Sequence, residues 1–176
     1  MNHADLRRAV LEVLDQALLL LDAIDSGRYV EKVPKAFNAS IGAHLRHCLD
    51  HFEVLAAGAA DTPLDYDARA RDARIETDRN FALSRARALR DACACLSEEA
   101  LAGEVVVRCK VSYVSDDSPL VSSTLGREAM YTVVHAIHHY ALIGIMCQIL
   151  GIETPEGFGV APSTLKHHVE LAAASA

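Results

Sequence analysis

The chain of 176 residues contains no CxxC pair, no run of lysines or arginines, no internal repeat and no low-complexity tract. Each absence excludes a class of protein. The five cysteines (Cys48, Cys93, Cys95, Cys109 and Cys147) are odd in number and form neither a disulfide framework nor a zinc ribbon, so a reduced, cytoplasmic setting is expected. A formal net charge of -7 without any basic cluster argues against nucleic acid or an anionic membrane surface as a partner. The longest apolar run, YALIGIMCQILGI, is shorter than the roughly 18 residues that a membrane span needs. The N-terminal MNHADLRRAVLEVLDQ is amphipathic and acid-containing from its start, unlike an export signal, and a soluble protein is expected.

What is present is hydrophobic periodicity. With 51% hydrophobic residues the chain can bury one sizeable core, and its length fits a single domain over 1–176. From Asp5 to Asp25, Leu6, Val10, Val13, Leu14, Ala17, Leu18, Leu21 and Ile24 recur at three and four, and Ser26-Gly27 reads as a helix stop. A second helix, capped by Asn38 or Ser40, runs through His44, His47, His51 and Leu55 and dissolves in AAGAAD. Asp61 to Thr77 lacks an apolar period and reads as a long connection held by polar contacts, with Arg69, Arg71, Asp72 and Glu76 as an ion-paired clamp or, alternatively, as residues lining the mouth of a site. A third helix spans about Asp78 to Ala102, with Phe81, Leu83, Ala88, Leu89, Ala92 and Leu96 inward. Between Glu104 and Ser123 the period shortens to two around the turn residues SDDSP, which predicts a small β-hairpin. A fourth long helix runs from about Thr124 to Leu150, and a short last helix follows, capped by Ser163. The fold expected is mainly α: a four-helix bundle with a β-hairpin inserted between helices 3 and 4 and a short C-terminal helix.

Nine residues are histidine, and most lie in ASIGAHLRHCLDHFE and TVVHAIHHYAL. Residues four apart share a helix face, so His47 with His51 and His135 with His139 each point toward a common centre. His44, His47, His51 and Leu55 fall in one arc of the second helix. Glu128, Tyr131, His135, His139, Leu142 and Met146 share a face of the fourth. A face that is histidine at one end and leucine or methionine at the other describes a helical interior with a polar pocket near its mouth. Neutral imidazole binds Zn, Ni or Fe, and two ligands from one helix with a third from another leave positions open for water or substrate. A bland reading competes at each position, because most helical histidines are packing or surface residues. His138 reads as a packing residue, His3, His167 and His168 as solvated, and Cys48 and Cys147 as buried structural thiols. Glu128 reads first as a charge at the helix start; it is also a candidate hydrogen-bond acceptor supporting the site and, with His51 and His44, a candidate catalytic base.

The motifs SIGAHLRHCLDHF and VVHAIHHYALI resemble those of the DinB-like (YfiT-like) four-helix-bundle superfamily. The resemblance implies a divalent metal bound by one histidine of the second helix and a late HxxxH pair. On this chain the late pair is His135 and His139. His47, five residues after Gly42 as in the family's spacing, matches the earlier ligand, with His51 competing. The resemblance also implies a metal-dependent hydrolase or a transferase using a low-molecular-weight thiol, acting on a small molecule. Two other classes fit the residues: a non-enzymatic metal-binding or interaction module, and a two-metal bundle of the hemerythrin type. The last needs bridging carboxylates, and Asp50 and Glu53 turn away from the histidine arc. An exposed apolar helix face would suit a homodimer.

Overall fold

The computed structural model describes residues 3–58 and 63–174. The chain is mainly helical with one small sheet. Four long helices, α1 (His3–Ala23), α3 (Ile41–Ala57), α5 (Arg79–Ala94) and α7 (Leu125–Leu150), form the body. α1 and α3 each pack against both α5 and α7, so the cyclic order around the core is α1, α5, α3, α7. The core is aliphatic: Leu14, Leu20 and Leu21 of α1, Leu45, Leu49 and Leu55 of α3, and Ile143 and Met146 of α7 are all buried. Each such side chain contributes about 1.5–3 kcal/mol of transfer free energy. Tyr140, fully buried, donates its hydroxyl to the Val13 carbonyl at 3.2 Å and stacks on Phe158 at 4.9 Å, which ties the loop after α7 to the core.

Helix ends explain most of the departures from expectation. Eight helices are present among the described residues where five were expected. Ser26-Gly27 does not end the helical run; Asp25 accepts from the Gly27 and Arg28 amides and starts α2 (Ser26–Val30). The single third helix expected over Asp78–Ala102 is two, because Ser97 accepts from the Ala100 amide and nucleates α6 (Glu98–Ala102) after a break at Cys95. Ala88 and Ala92, expected inward, are exposed, whereas Ala82, Ala86, Leu89 and Cys93 are buried. The last helix, α8 (Pro162–Ala174), begins at Pro162, so Ser163 lies inside it rather than capping it; proline suits a first helical position because its missing N–H would be unpaired there anyway. Ser40, not Asn38, caps α3, accepting from the Ala43 amide at 3.1 Å.

The long connection is also more ordered than its composition suggests. Its first residues, Asp61 and Thr62, and part of AAGAAD lie outside the described residues. Beyond them, Leu64–Asp65 forms strand β1 and Ala73–Thr77 forms α4, which packs on α3. The expected hairpin is present as β2 (Glu104–Arg108) paired antiparallel with β3 (Leu120–Thr124), and β1 adds to its free edge in parallel, giving a three-stranded sheet.

One glycine sets the position of α3. A Cβ on Gly42 would lie 2.2 Å from the Glu76 carbonyl oxygen and 2.9 Å from the Tyr29 ring, so only glycine lets α3 pack this closely on α4. By length and composition α7 is long and apolar enough to cross a membrane, its most apolar 18-residue window having a mean hydropathy of 1.5. The apolar run considered alone understated it. Here α7 packs on α1, α3 and α6 and carries buried Glu128 and Thr132.

Candidate metal centre

Two helices deliver the histidines. Ser40 starts α3 so that His44, His47 and His51 follow on one face, and Thr124, accepting from the Arg127 amide, starts α7 so that His135 and His139 face them. The ring nitrogens of His47, His135 and His139 that could act as ligands lie within 4.8 Å of one another. His47 Nε2 faces His135 Nε2 at 2.9 Å, and His44 Nδ1 faces His139 Nδ1 at 3.0 Å. Two neutral imidazole nitrogens at such a distance either share one proton or turn their lone pairs to a common cation.

This three-histidine group could hold a metal ion. Nitrogen ligands at about 2.0–2.1 Å from one ion must come within about 4 Å of each other. The observed envelope of 4.8 Å is slightly wider than that. The electrostatics are in keeping. Burial first, then the charges of His139 and Arg69, lower His47 to about 3. Burial, then neighbouring histidines, lowers His139 to about 4. Burial likewise lowers His44 and His135. At neutral pH these rings hold free lone pairs and have few protons to lose to a metal.

His51, the competing ligand, is deeply buried. Its ring lies 4.3 Å from that of His135 and 4.8 Å from that of His47. Its Nε2 receives a close contact from Arg69 Nη1. Arginine is only a donor, so this nitrogen accepts and the proton sits on Nδ1, which has no partner. Burial and the surrounding positive charge lower His51 to about 2. His51 therefore meets Arg69 with the lone pair that a ligand or base would need.

The remaining site residues fall into place around this group. His44 touches His139 from the rim, where it lines an open cavity of about 270 Å³ with Arg46, His47 and His139. His138 is exposed and sits edge-on to His139 at 5.6 Å. Glu128 lies in the first turn of α7, as expected, and is also buried. It is 4% exposed, with Oε2 accepting from the Tyr66 hydroxyl at 3.0 Å and Oε1 from the Ser123 hydroxyl at 2.6 Å. Asp50 is buried and paired with Arg46 at 3.0 Å, and Glu53 pairs with Arg85, so neither carboxylate is turned to the histidines. Burial raises the Cys48 thiol and pushes Cys147 up to about 11, so neither supplies a thiolate at neutral pH.

No family model matches the chain, and no solved structure matches it. Over 115 residues, 65% of its length, it is 35% identical to a protein named FK506-binding protein 5 from Rhizopus delemar. The match spans 30% of that protein, so the chain corresponds to one part of a much longer relative.

The expected ion-paired clamp in the connecting loop is only partly one. Asp72 pairs with Arg74, and Glu76 with Lys32 and Arg46. Arg71 donates to the Asp67 carbonyl instead. Arg69 turns inward onto His51 and makes no ion pair with a carboxylate among the described residues. Tyr66 also joins the site unforeseen, its ring stacked on His51 at 5.1 Å and set against Tyr131 at 5.5 Å. Tyr131 in turn stacks on His135 at 5.6 Å. Nothing in the local sequence of YDARARD separates an inward arginine from an outward one; only the reversal of the chain after β1 does.

The neutral histidines make acid stability a sensitive measurement. In the unfolded chain they titrate near 6.5, but in the folded protein His139 stays neutral to about 4 and His47 to about 3. Above pH 6.5 both states are neutral and no penalty exists. Below it the unfolded chain binds protons that the metal-free native state refuses, costing about 1.4 kcal/mol per pH unit for each such histidine. The urea midpoint of metal-free protein is therefore expected to fall steeply between pH 6.5 and 4. A flat profile would mean that the imidazoles are solvated.

Proposed function

We propose that the four long helices form a DinB-like four-helix bundle whose His47, His135 and His139 hold one divalent metal. In this reading the protein is a metal-dependent enzyme of the hydrolase or thiol-transferase type. The observation that carries the reading is the convergence of three neutral imidazoles from α3 and α7 within 4.8 Å, beside an open cavity. A divalent ion held there would supply Lewis acidity and make an anionic nucleophile from water or a thiol near neutral pH.

The chain's own residues prepare that chemistry. For His139 to ligate through Nε2, its Nδ1 carries the proton and donates to His44 Nδ1. His44 is thus a positioning residue that fixes the tautomer and ring plane of His139. Tyr131, stacked on His135, restricts that ring in the same way. His51 meets Arg69 through Nε2 and holds its proton on Nδ1, so it has no free lone pair with which to act as a base. Glu128, held by two hydroxyl groups, is the carboxylate nearest the cavity between the sheet and α7.

The test is a reaction screen on protein purified without a histidine tag and loaded separately with Zn, Ni or Fe. Thiol conjugation to an electrophile, or hydrolysis of amides and esters, is expected in at least one metal form, and the His139→Ala protein is expected to show neither. Silence in every assay with metal bound and the fold intact would overturn the enzymatic reading in favour of a metal-binding module.

A further inference from the structure

The sheet and the start of α7 flank a second cavity, distinct from the one that His44 lines. Its volume is about 310 Å³, at the lower end for a small-molecule pocket, and its surface is mainly apolar. Val107 and Val121 of the hairpin and the Tyr131 ring of α7 supply apolar walls, while Arg127 and Glu128 bring two opposite charges to it.

These charges are not consumed by each other. Arg127 Nη1 lies 3.7 Å from Glu128 Oε1, beyond hydrogen-bond length, and the guanidinium makes no hydrogen bond among the described residues. Its Cζ lies 5.7 Å from the Tyr131 ring centroid, and 57% of the side chain is exposed. Glu128 is the reverse case. Its side chain is 5% exposed, and its hydrogen bonds come from two neutral hydroxyls, those of Tyr66 and Ser123. Burial first, then the Glu128 charge, raises the Tyr66 hydroxyl, which therefore stays protonated and donates. A carboxylate offers about four lone-pair sites, so roughly two remain for a further donor. A buried carboxylate with no full charge in hydrogen-bond contact is destabilising, and a cation bound against it would offset that.

The missing partners are thus a cation for Glu128 and an anion for Arg127, and the short gap between the two groups asks for both on one small molecule. An α-amino acid carries its ammonium and carboxylate on a single carbon, which suits groups 3.7 Å apart. We propose that this cavity binds an α-amino acid with an aliphatic side chain: the ammonium donates to Glu128, the carboxylate accepts from Arg127, and the side chain lies along Val107, Val121 and Tyr131. The site is built without the metal-centre histidines and meets the histidine cluster through Tyr131, stacked on His135, and Tyr66, stacked on His51. It goes beyond the metalloenzyme reading and is tested separately from it.

The experiment titrates L-leucine into metal-free protein at pH 7 in a calorimeter, and saturable binding of one equivalent is expected. Leucinamide lacks the carboxylate and isocaproate lacks the ammonium; each is expected to bind at least about tenfold more weakly, because one charge-assisted contact is lost. Arg127→Gln is expected to weaken leucine by a similar factor and to leave leucinamide unchanged, and its exposed position spares the fold. Glu128→Gln, with its fold checked by circular dichroism, is expected to weaken leucine and leucinamide alike. No saturation in the wild type, unchanged leucine affinity in Arg127→Gln, or either analogue binding as tightly as leucine overturns the proposal. His139→Ala is expected to bind leucine as the wild type does. Loss of leucine binding in folded His139→Ala protein would place the ligand on the histidines and overturn this site. Leucine binding by a wild type that takes up no metal would sink the metalloenzyme reading and leave this one standing.

Discussion

Alanine in place of His139 is expected to abolish stoichiometric metal binding, and the size of the effect follows from the ligand count. Wild-type protein, loaded with Zn and dialysed, should retain about one metal per chain by elemental analysis. With His139 removed, one donor from each helix remains and the ion is lost on dialysis. Replacing an outer-shell partner alone typically costs about 10–100-fold in metal affinity, so a first ligand costs more than that. His44→Ala supplies the internal scale: it should keep one equivalent with an affinity reduced by about that 10–100-fold factor. His47→Ala and His51→Ala separate the two candidates on α3, with loss expected only in the former. Retention of a full equivalent in His139→Ala would show that the site is elsewhere. Two equivalents in the wild type would favour a two-metal centre.

The second large effect is steric. In Gly42→Ala the new methyl group would sit 2.2 Å from the Glu76 carbonyl oxygen, and that oxygen belongs to backbone that cannot swing away. Either α3 or α4 must move, and overpacking of this kind costs about 1–3 kcal/mol, at the upper end when backbone is the obstacle. For a chain of this size that corresponds to a fall in Tm of about 6–12 °C for 3 kcal/mol. Because α3 carries His44 and His47, the same displacement should weaken metal binding. Gly144→Ala is the control: it lies within α7, a Cβ there meets nothing within 4 Å, and the higher helix propensity of alanine should raise stability by up to about 1 kcal/mol. A Gly42→Ala protein as stable as the wild type would mean that the close approach of α3 to α4 is not what positions the helix.

The parts of the site that could be read from the chain are those governed by helical periodicity. A spacing of four puts His47 with His51 and His135 with His139 on common faces whatever the helices pack against. Long-range partners carry no such period. Glu128 illustrates the difference: its place in the first turn of α7 follows from the chain, but the partners that bury it as a hydrogen-bond acceptor, Tyr66, 62 residues earlier, and Ser123, do not. Arg69 is similar. In sequence it sits among acids and looks like one member of a charged clamp, but the short pairing of β1 with β2 turns the following loop over the histidines. The short helices α2, α4 and α6 were missed for a third reason, since each is started by a side-chain cap over too few residues for any apolar period to register.

By itself, then, the sequence determined a mainly helical chain with four long amphipathic segments, a strand pair before the last of them, and two histidine-bearing faces, because these depend on local periodicity and capping. Only the tertiary structure decided which rings meet. The packing of α3 on α7 brings His47 toward His135 and His139, while the loop after β1 delivers Arg69 to His51. That choice lies in helix rotation and close approach, set by contacts such as Gly42 on Glu76 between residues far apart in the chain, and local sequence patterns do not encode it.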